Sequence, residues 1–253
     1  MKTALLVVSF GTTHLDTMEK TIVATEDALA NAFPETPVYR AFTSGIVRKR
    51  LQAKFDIHAD SVEEALARIA ADGYTQVLVQ PTLLIPGEEY DKLCTAVSAL
   101  AGQLVICMSK PLLCDETDMD AMIAVLQKAY PVDNDTVLLL MGHGTEHRAN
   151  DIYICMAEKM QHTSMRLCTV EGTPSFDDVV AELATLPQKK ILLAPMLFVA
   201  GDHAKNDMAG EEPDSLRSML EAKGYVVRCA IQGLGELEEV RNMYVEKARK
   251  ALY

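Results

Sequence analysis

The chain has 253 residues, nearly half of them apolar, and 36 acidic against 24 basic side chains give a net charge of −12. That is enough apolar material for a large core, built as one domain or as two of roughly 100–150 residues each. The acidic balance argues against nucleic acid as a partner, because a phosphate backbone calls for clustered Lys and Arg. No stretch approaches the ~20 apolar residues of a membrane span, so no membrane partner is expected either.

Short apolar, β-branched runs alternate along the chain with longer amphipathic segments. The first, ALLVVSF (4–10), follows Met-Lys-Thr. It is too short for a secretory leader and lacks a small-residue cleavage pattern, so it reads as a strand. Further strands are expected at 38–42, 75–81 and 104–108, with helices near 16–32, 61–72, 89–101 and 117–129. After a linker near 130–135, strands are expected at 136–142, 166–170, 190–195 and 225–230. The helices of that half fall near 150–162, 175–185, 213–223 and 236–251. Near-continuous apolar strands alternating with helices indicate parallel sheets covered on both faces, an α/β fold. Cys94, Cys107, Cys114, Cys155, Cys168 and Cys229 form no C-x-x-C pair and sit mostly inside apolar runs such as VICMS and RLCTV. Buried reduced thiols and a cytoplasmic location follow.

The two halves match each other. SVEEALARIAADGYTQVLVQPTLLIPGEE (61–89) aligns without a gap on SFDDVVAELATLPQKKILLAPMLFVAGDH (175–203), pairing Pro81 with Pro195 and Gly87 with Gly201. LLVVSFGTT (5–13) resembles LLLMGHGTE (138–146), and Gly45 after FTS falls on Gly172 after VE. Three matches in one order indicate a duplicated α/β unit, expected as lobes 1–130 and 131–253 with a cleft between them. Ligands in such sheets bind beyond the carboxyl ends of the strands.

At those ends the second half carries His143, Glu171 and His203, where the first half carries Phe10, Ser44 and Glu89. Two imidazoles and a carboxylate suit a divalent first-row metal and leave coordination positions open. The alternative is that each His caps a helix or fills a loop. If His203 opens a helix, Asp207 lies at i+4 and either orients that imidazole or simply belongs to an acidic first turn. His147 is a further contact if its segment opens a helix; His14, His58 and His162 read as surface residues. An insertion at 46–60, absent from the second half, brings Arg48, Lys49, Arg50 and Lys54. Arg48 is the first candidate to bind a polycarboxylate, against the alternative of a solvated helix face. There is no Walker sequence and no G-x-S-x-G, GLGE (233–236) is too short for a dinucleotide fingerprint, and the helical methionines read as core fillers.

LLVVSFGTT, RAFTSG, GEEY, MGHGTEH, VEG, GDHAKNDMAGEE and GLGE together resemble the anaerobic sirohydrochlorin cobaltochelatase family, the class II (ATP-independent) chelatases, over essentially the whole chain. The resemblance implies a two-lobed fold with its active site in the interlobe cleft. It also implies insertion of Co²⁺ into sirohydrochlorin in oxygen-independent cobalamin synthesis. The family's metal residues fall on His143, Glu171 and His203, and Glu89 matches a further acidic position. Cobalt is then a substrate, with no cofactor permanently bound, and the tetrapyrrole is the small-molecule partner; a homo-oligomer is compatible with this. On this reading His143 takes a pyrrole proton, His203 and Glu171 hold the metal with it, and Glu89 takes protons or steers the cation. Phe10 packs on the macrocycle, with Ser44 and Arg48 as further substrate contacts. Iron or nickel chelation of a related tetrapyrrole, and a non-enzymatic metal or haem carrier, stand as alternatives.

Overall fold

The computed structural model describes residues 2–99, 102 and 104–252. The last two positions expected in the helix 89–101 lie outside the described residues. In chain order, β1 (Thr3–Ser9) leads to α1 (Leu15–Met18), a π-helical turn (Glu19–Val23) and α2 (Ala24–Ala32). Then come β2 (Val38–Phe42), α3 (Gly45–Phe55), α4 (Val62–Ala71), β3 (Gln76–Pro81), α5 (Glu88–Ser98) and β4 (Val105–Met108). The second set is α6 (Glu116–Ala129), β5 (Thr136–Gly142), α7 (Asp151–Met160), β6 (Met165–Thr169), α8 (Phe176–Ala184) and β7 (Lys190–Pro195). It ends with α9 (Leu216–Ala222), β8 (Val226–Cys229) and α10 (Glu238–Leu252).

The described strands form two four-stranded parallel sheets, ordered β2-β1-β3-β4 and β6-β5-β7-β8. β5 is buried from end to end, and β1 at all but its first residue, because both their faces are covered: Leu5, Leu6, Val7 and Val8 in one sheet, Leu139, Leu140 and Met141 in the other, are fully buried. The duplication extends to register. Thr3 pairs with Gln76 as Thr136 pairs with Lys190, and Leu5 pairs with Val38 as Leu138 pairs with Met165. It also extends to helix caps. Ser61 and Glu64 close a capping box on α4, and Ser175 and Asp178 close the corresponding one on α8.

Two compact units result: residues up to Cys114 together with α10, and Asp115–Leu237. They differ from the halves 1–130 and 131–253 by a reciprocal exchange of helices: α6 belongs to the second unit and α10 to the first. Packing explains the second assignment. Val245 and Ala248 of α10 join Leu5, Val7, Leu29 and Leu78 in one apolar cluster, and the Tyr244 hydroxyl donates to Thr82 O at 3.0 Å. Two further features depart from the expected elements. Charge-rich 45–55 forms α3, capped by Ser44, whose hydroxyl accepts from Val47 N at 3.3 Å. The helix from residue 15 to 32 carries a π turn where Thr21 and Thr25 return their hydroxyls to the carbonyls four residues back, a bond that competes with the helical ladder. No helix among the described residues is long and apolar enough to cross a membrane, and all six cysteines are free thiols.

The α8 capping box makes the first prediction. Ser175→Ala removes the two hydroxyl contacts with Asp178, at 3.2 and 2.7 Å, leaves the backbone one, and is expected to cost about 1 kcal/mol in denaturant unfolding at pH 7. Hydrogen bonds from the Ser175 hydroxyl and then its backbone N–H hold the Asp178 carboxyl below its ordinary value of 3.8. A depressed folded value places this stabilisation above the unfolded pKa and removes it as pH falls through the folded one. The gap between variant and wild type should therefore shrink below about pH 4.

Candidate metal centre

β5 and β6 end side by side, and the chain leaves both at the same edge of the sheet. The pairing extends past the strands: Val170 N donates to Gly142 O at 3.1 Å and Glu171 N donates to His143 O at 2.8 Å. That bond fixes the backbone of His143 beside that of Glu171. His203 comes to the same place from the loop after β7, at the start of a π-helical turn (Ala204–Met208). The imidazoles of His143 and His203 meet edge to face, with centroids 4.7 Å apart and planes at 88°. Glu171 Oε2 lies 3.8 Å from His143 Nδ1. Three side chains separated by up to 60 residues in sequence thus share one patch, each of them partly exposed.

The proton positions follow from the neighbours. His143 Nδ1 lies 3.0 Å from Gly144 O, and His203 Nδ1 lies 2.6 Å from Asp207 Oδ2. Both partners only accept, so each neutral ring carries its proton on Nδ1 and its lone pair on Nε2. The second contact is the i+4 carboxylate expected if residue 203 opened a helical turn. The patch can therefore offer two imidazole lone pairs to a cation. Glu171 sits on the Nδ1 side of His143 with its side chain 60% exposed, so adding it as a third ligand takes a rotation of the kind exposed side chains make in picoseconds to nanoseconds.

The loop beneath is tightly braced. Gly144 has φ +79°, and a Cβ there would lie 2.5 Å from Gly172 N and 2.7 Å from Thr169 Cβ. Only glycine accommodates both the left-handed backbone and that approach. Asn150, which the sequence reading did not single out, joins the two loops: its Oδ1 accepts from Thr145 N at 3.2 Å and its Nδ2 donates to Thr173 O at 2.8 Å. His147 caps the turn before α7, with Nδ1 accepting from Ala149 N at 3.1 Å.

The remaining candidates occupy the corresponding edge of the first sheet. Phe10 is 50% exposed. Ser44 N donates to Phe10 O at 3.2 Å, repeating the His143–Glu171 bond, while the Ser44 hydroxyl is taken up as the α3 cap. Glu89, in the first turn of α5, accepts from Lys92 Nζ at 2.7 Å. Arg48 directs its guanidinium to Glu64 at 3.3 Å. The tightest ligand-type cluster among the described residues lies nearby: His58, Asp60 and Glu64 have ligand atoms all within 4.8 Å of one another. Arg68 already holds Asp60 at 2.6 Å and Arg48 holds Glu64. A divalent cation would have to displace two guanidinium groups, so this is an ion-pair network joining α3 to α4, with Asp60 its buried member and His58 and Glu64 exposed.

A family model described as cobalt chelatase (CbiK) matches residues 3–253. The chain belongs to the CbiK cobalt chelatase family. It is 37% identical to the sirohydrochlorin cobaltochelatase of Salmonella typhimurium, covering 100% of this chain and 97% of that one. It is 33% identical to the sirohydrochlorin cobaltochelatase CbiKC of Nitratidesulfovibrio vulgaris, covering 99% and 91%. Among solved structures, SirB from Bacillus subtilis with Fe³⁺ superposes at a TM-score of 0.68 with 17% identity, over 99% of this chain and 96% of that one. CbiX, described as the terminal enzyme of sirohaem synthesis in denitrifying bacteria, does so at 0.59 with 18% identity, over 99% and 100%. These likenesses bear on the fold, which a CbiK cobalt chelatase shares with both.

Asp207 provides the test of this geometry. Without its carboxylate the His203 ring loses both its tautomer bias and its orientation. Asp207→Ala is expected to weaken Co²⁺ binding roughly 10–100-fold by calorimetric titration, with the unfolding midpoint little changed.

Proposed function

We propose that this chain is the enzyme that inserts Co²⁺ into sirohydrochlorin without ATP, in the oxygen-independent route to cobalamin, and that His143, Glu171 and His203 handle the metal. Family membership and two cobaltochelatase relatives matched over nearly their whole length support the reaction. One observation carries the site: two imidazoles at 4.7 Å, each with an acceptor on Nδ1 and therefore a lone pair on Nε2.

Chelation exchanges two pyrrole N–H protons for one divalent cation, so the protein must both present the metal and take up protons. The two imidazoles bear unequal loads. His203 Nδ1 is hydrogen-bonded to the Asp207 carboxylate at 2.6 Å, which fixes the ring's tautomer and orientation and makes it the firmer ligand. His143 rests on a neutral carbonyl, so its bond to metal is the easier one to release as the cation passes to the macrocycle. Once free, its Nε2 accepts one pyrrole proton, and a neutral imidazole suits that task near pH 7. The second proton goes to a carboxylate, Glu171 after it has let go of the metal, or Glu89. Glu171 also supplies the negative charge that draws a dication to the patch. An exposed Phe10 offers an aromatic face to the macrocycle, and Ser44 and Arg48 stand near it on the same sheet edge for the peripheral carboxylates. Substrate binding away from the metal then contributes to orienting the ring nitrogens.

The test follows the absorbance change as sirohydrochlorin takes up Co²⁺. His143→Ala and His203→Ala are expected to lower kcat/KM at least 100-fold, in the range for loss of an acid–base group, with folded protein by circular dichroism. Wild-type rates in both variants would refute the assignment. Supplying Fe²⁺ and Ni²⁺ in competition identifies the preferred metal.

A further inference from the structure

Asn150 stands immediately before α7, where an asparagine side chain ordinarily accepts from the first free N–H groups of its own helix. Here it makes no such bond to α7. Its amide turns instead to the loops that carry two of the metal-handling residues. Oδ1 accepts from the N–H of Thr145, two residues after His143, at 3.2 Å. Nδ2 donates to the carbonyl of Thr173, two residues after Glu171, at 2.8 Å. One partner only donates and the other only accepts, so the amide has a single orientation that satisfies both. Gly172 leaves room for it: a Cβ there would lie 2.2 Å from Asn150 Oδ1. Any other residue at 172 would displace the amide.

We infer that Asn150 is a positioning residue for the metal centre: it staples the loop after β5 to the loop after β6 and so sets the spacing of His143 and Glu171. The strand ladder holds those two residues at their base, through Glu171 N and His143 O at 2.8 Å. Beyond that bond each loop is closed on itself. His147 N donates to Thr145 Oγ1 at 3.1 Å in the first, and Thr169 N and Oγ1 both donate to Pro174 O, at 2.7 and 3.1 Å, in the second. Asn150 joins the two closed loops to each other. A comparison of the two units ties this bond to the ligands rather than to the frame. The first unit repeats the turn, with His14 N donating to Thr12 Oγ1 at 3.1 Å, and carries Phe10 and Ser44 in the places of His143 and Glu171. There the residue aligned with Asn150 is Thr17, and the chain after Ser44 runs straight into α3. The staple belongs to the unit that bears the imidazoles.

This inference rests on the proposed reading of His143, Glu171 and His203, and the experiment separates the two. Asn150→Ala removes both bonds. Its Co²⁺ affinity is expected to fall about 10–100-fold, the range seen when a group that orients metal ligands is lost, and the visible absorption of bound Co²⁺ should change shape. With sirohydrochlorin, kcat should drop roughly ten- to hundredfold, as misplacement of a reacting group does, while KM stays within about twofold. Asn150→Ser discriminates against a capping role. Serine caps a helix about as well as asparagine, but its hydroxyl is too short to meet both loops, so it should behave like Asn150→Ala. In the wild-type protein, hydrogen exchange should find the Thr145 amide protected. Wild-type Co²⁺ affinity and spectrum in either variant would overturn the inference, as would fast exchange at Thr145, which decides the matter even if the variants fail to fold. Should His143→Ala and Glu171→Ala bind Co²⁺ as the wild type does, the metal-centre reading falls and this role with it. Should the wild type bind Co²⁺ yet leave sirohydrochlorin unchanged, the reaction alone is wrong, and the Co²⁺ spectrum of Asn150→Ala still decides whether Asn150 shapes the site.

Discussion

The hydrogen bond from Glu171 N–H to the carbonyl of His143 is the contact on which the rest depends. It continues the ladder between β5 and β6 past the end of the sheet, so that two side chains separated by 28 positions leave neighbouring backbones at the same edge. The same bond exists in the first unit, from Ser44 N to Phe10 O. Parallel sheets impose this arrangement, because all their strands end on one side and every loop that follows begins there. What distinguishes the two units is the side chains that the shared backbone presents: His143 for Phe10, Glu171 for Ser44, His203 for Glu89. The frame is repeated, and the three differing positions give one unit two imidazoles and a carboxylate and the other an aromatic face, a capped helix and a carboxylate.

The proposed reading needs a rigid frame beneath the ligands. Gly144 and Gly172 allow the two loops to touch backbone to backbone, and Asn150 ties them with two hydrogen bonds. The ring of Tyr153 packs under Gly142, where a Cβ would lie 2.6 Å from its Cε1. Above this base the imidazoles and Glu171 remain partly exposed and loosely gathered. A structural metal site is closed and saturated; a site that must release its cation to four pyrrole nitrogens works better with few, open ligands. On the proposed reading, the braced base and the open ligand set serve one requirement: a metal held in place without being held too firmly.

Much of the architecture was legible because the local signals agree. Buried parallel strands read as runs such as TVLLLMG, and Ser-x-x-acidic boxes mark the starts of α4 and α8. The constant spacing of 61–89 against 175–203 located the strand ends of both units, and His143, Glu171 and His203 with them. Asp207 was legible as an i+4 neighbour of His203. Features decided by packing across long sequence distances were not. The exchange of α6 and α10 depends on apolar faces that fit either half equally well by pattern. Helix α3 has one fully buried residue, Leu51, so its charged sequence gives little periodicity. Nor were the local partners of His147 and Arg48 legible, the Ala149 backbone N–H and the Glu64 carboxylate on the next helix.

The central claim is that His143, Glu171 and His203 gather around one cation. X-ray absorption at the cobalt edge, on protein loaded with one equivalent of Co²⁺, tests this directly. The account predicts two imidazole nitrogens and at least one carboxylate oxygen at about 2 Å, with one imidazole lost in His143→Ala and the oxygen component altered in Glu171→Ala. A first shell without imidazole, or one unchanged in both variants, would contradict it.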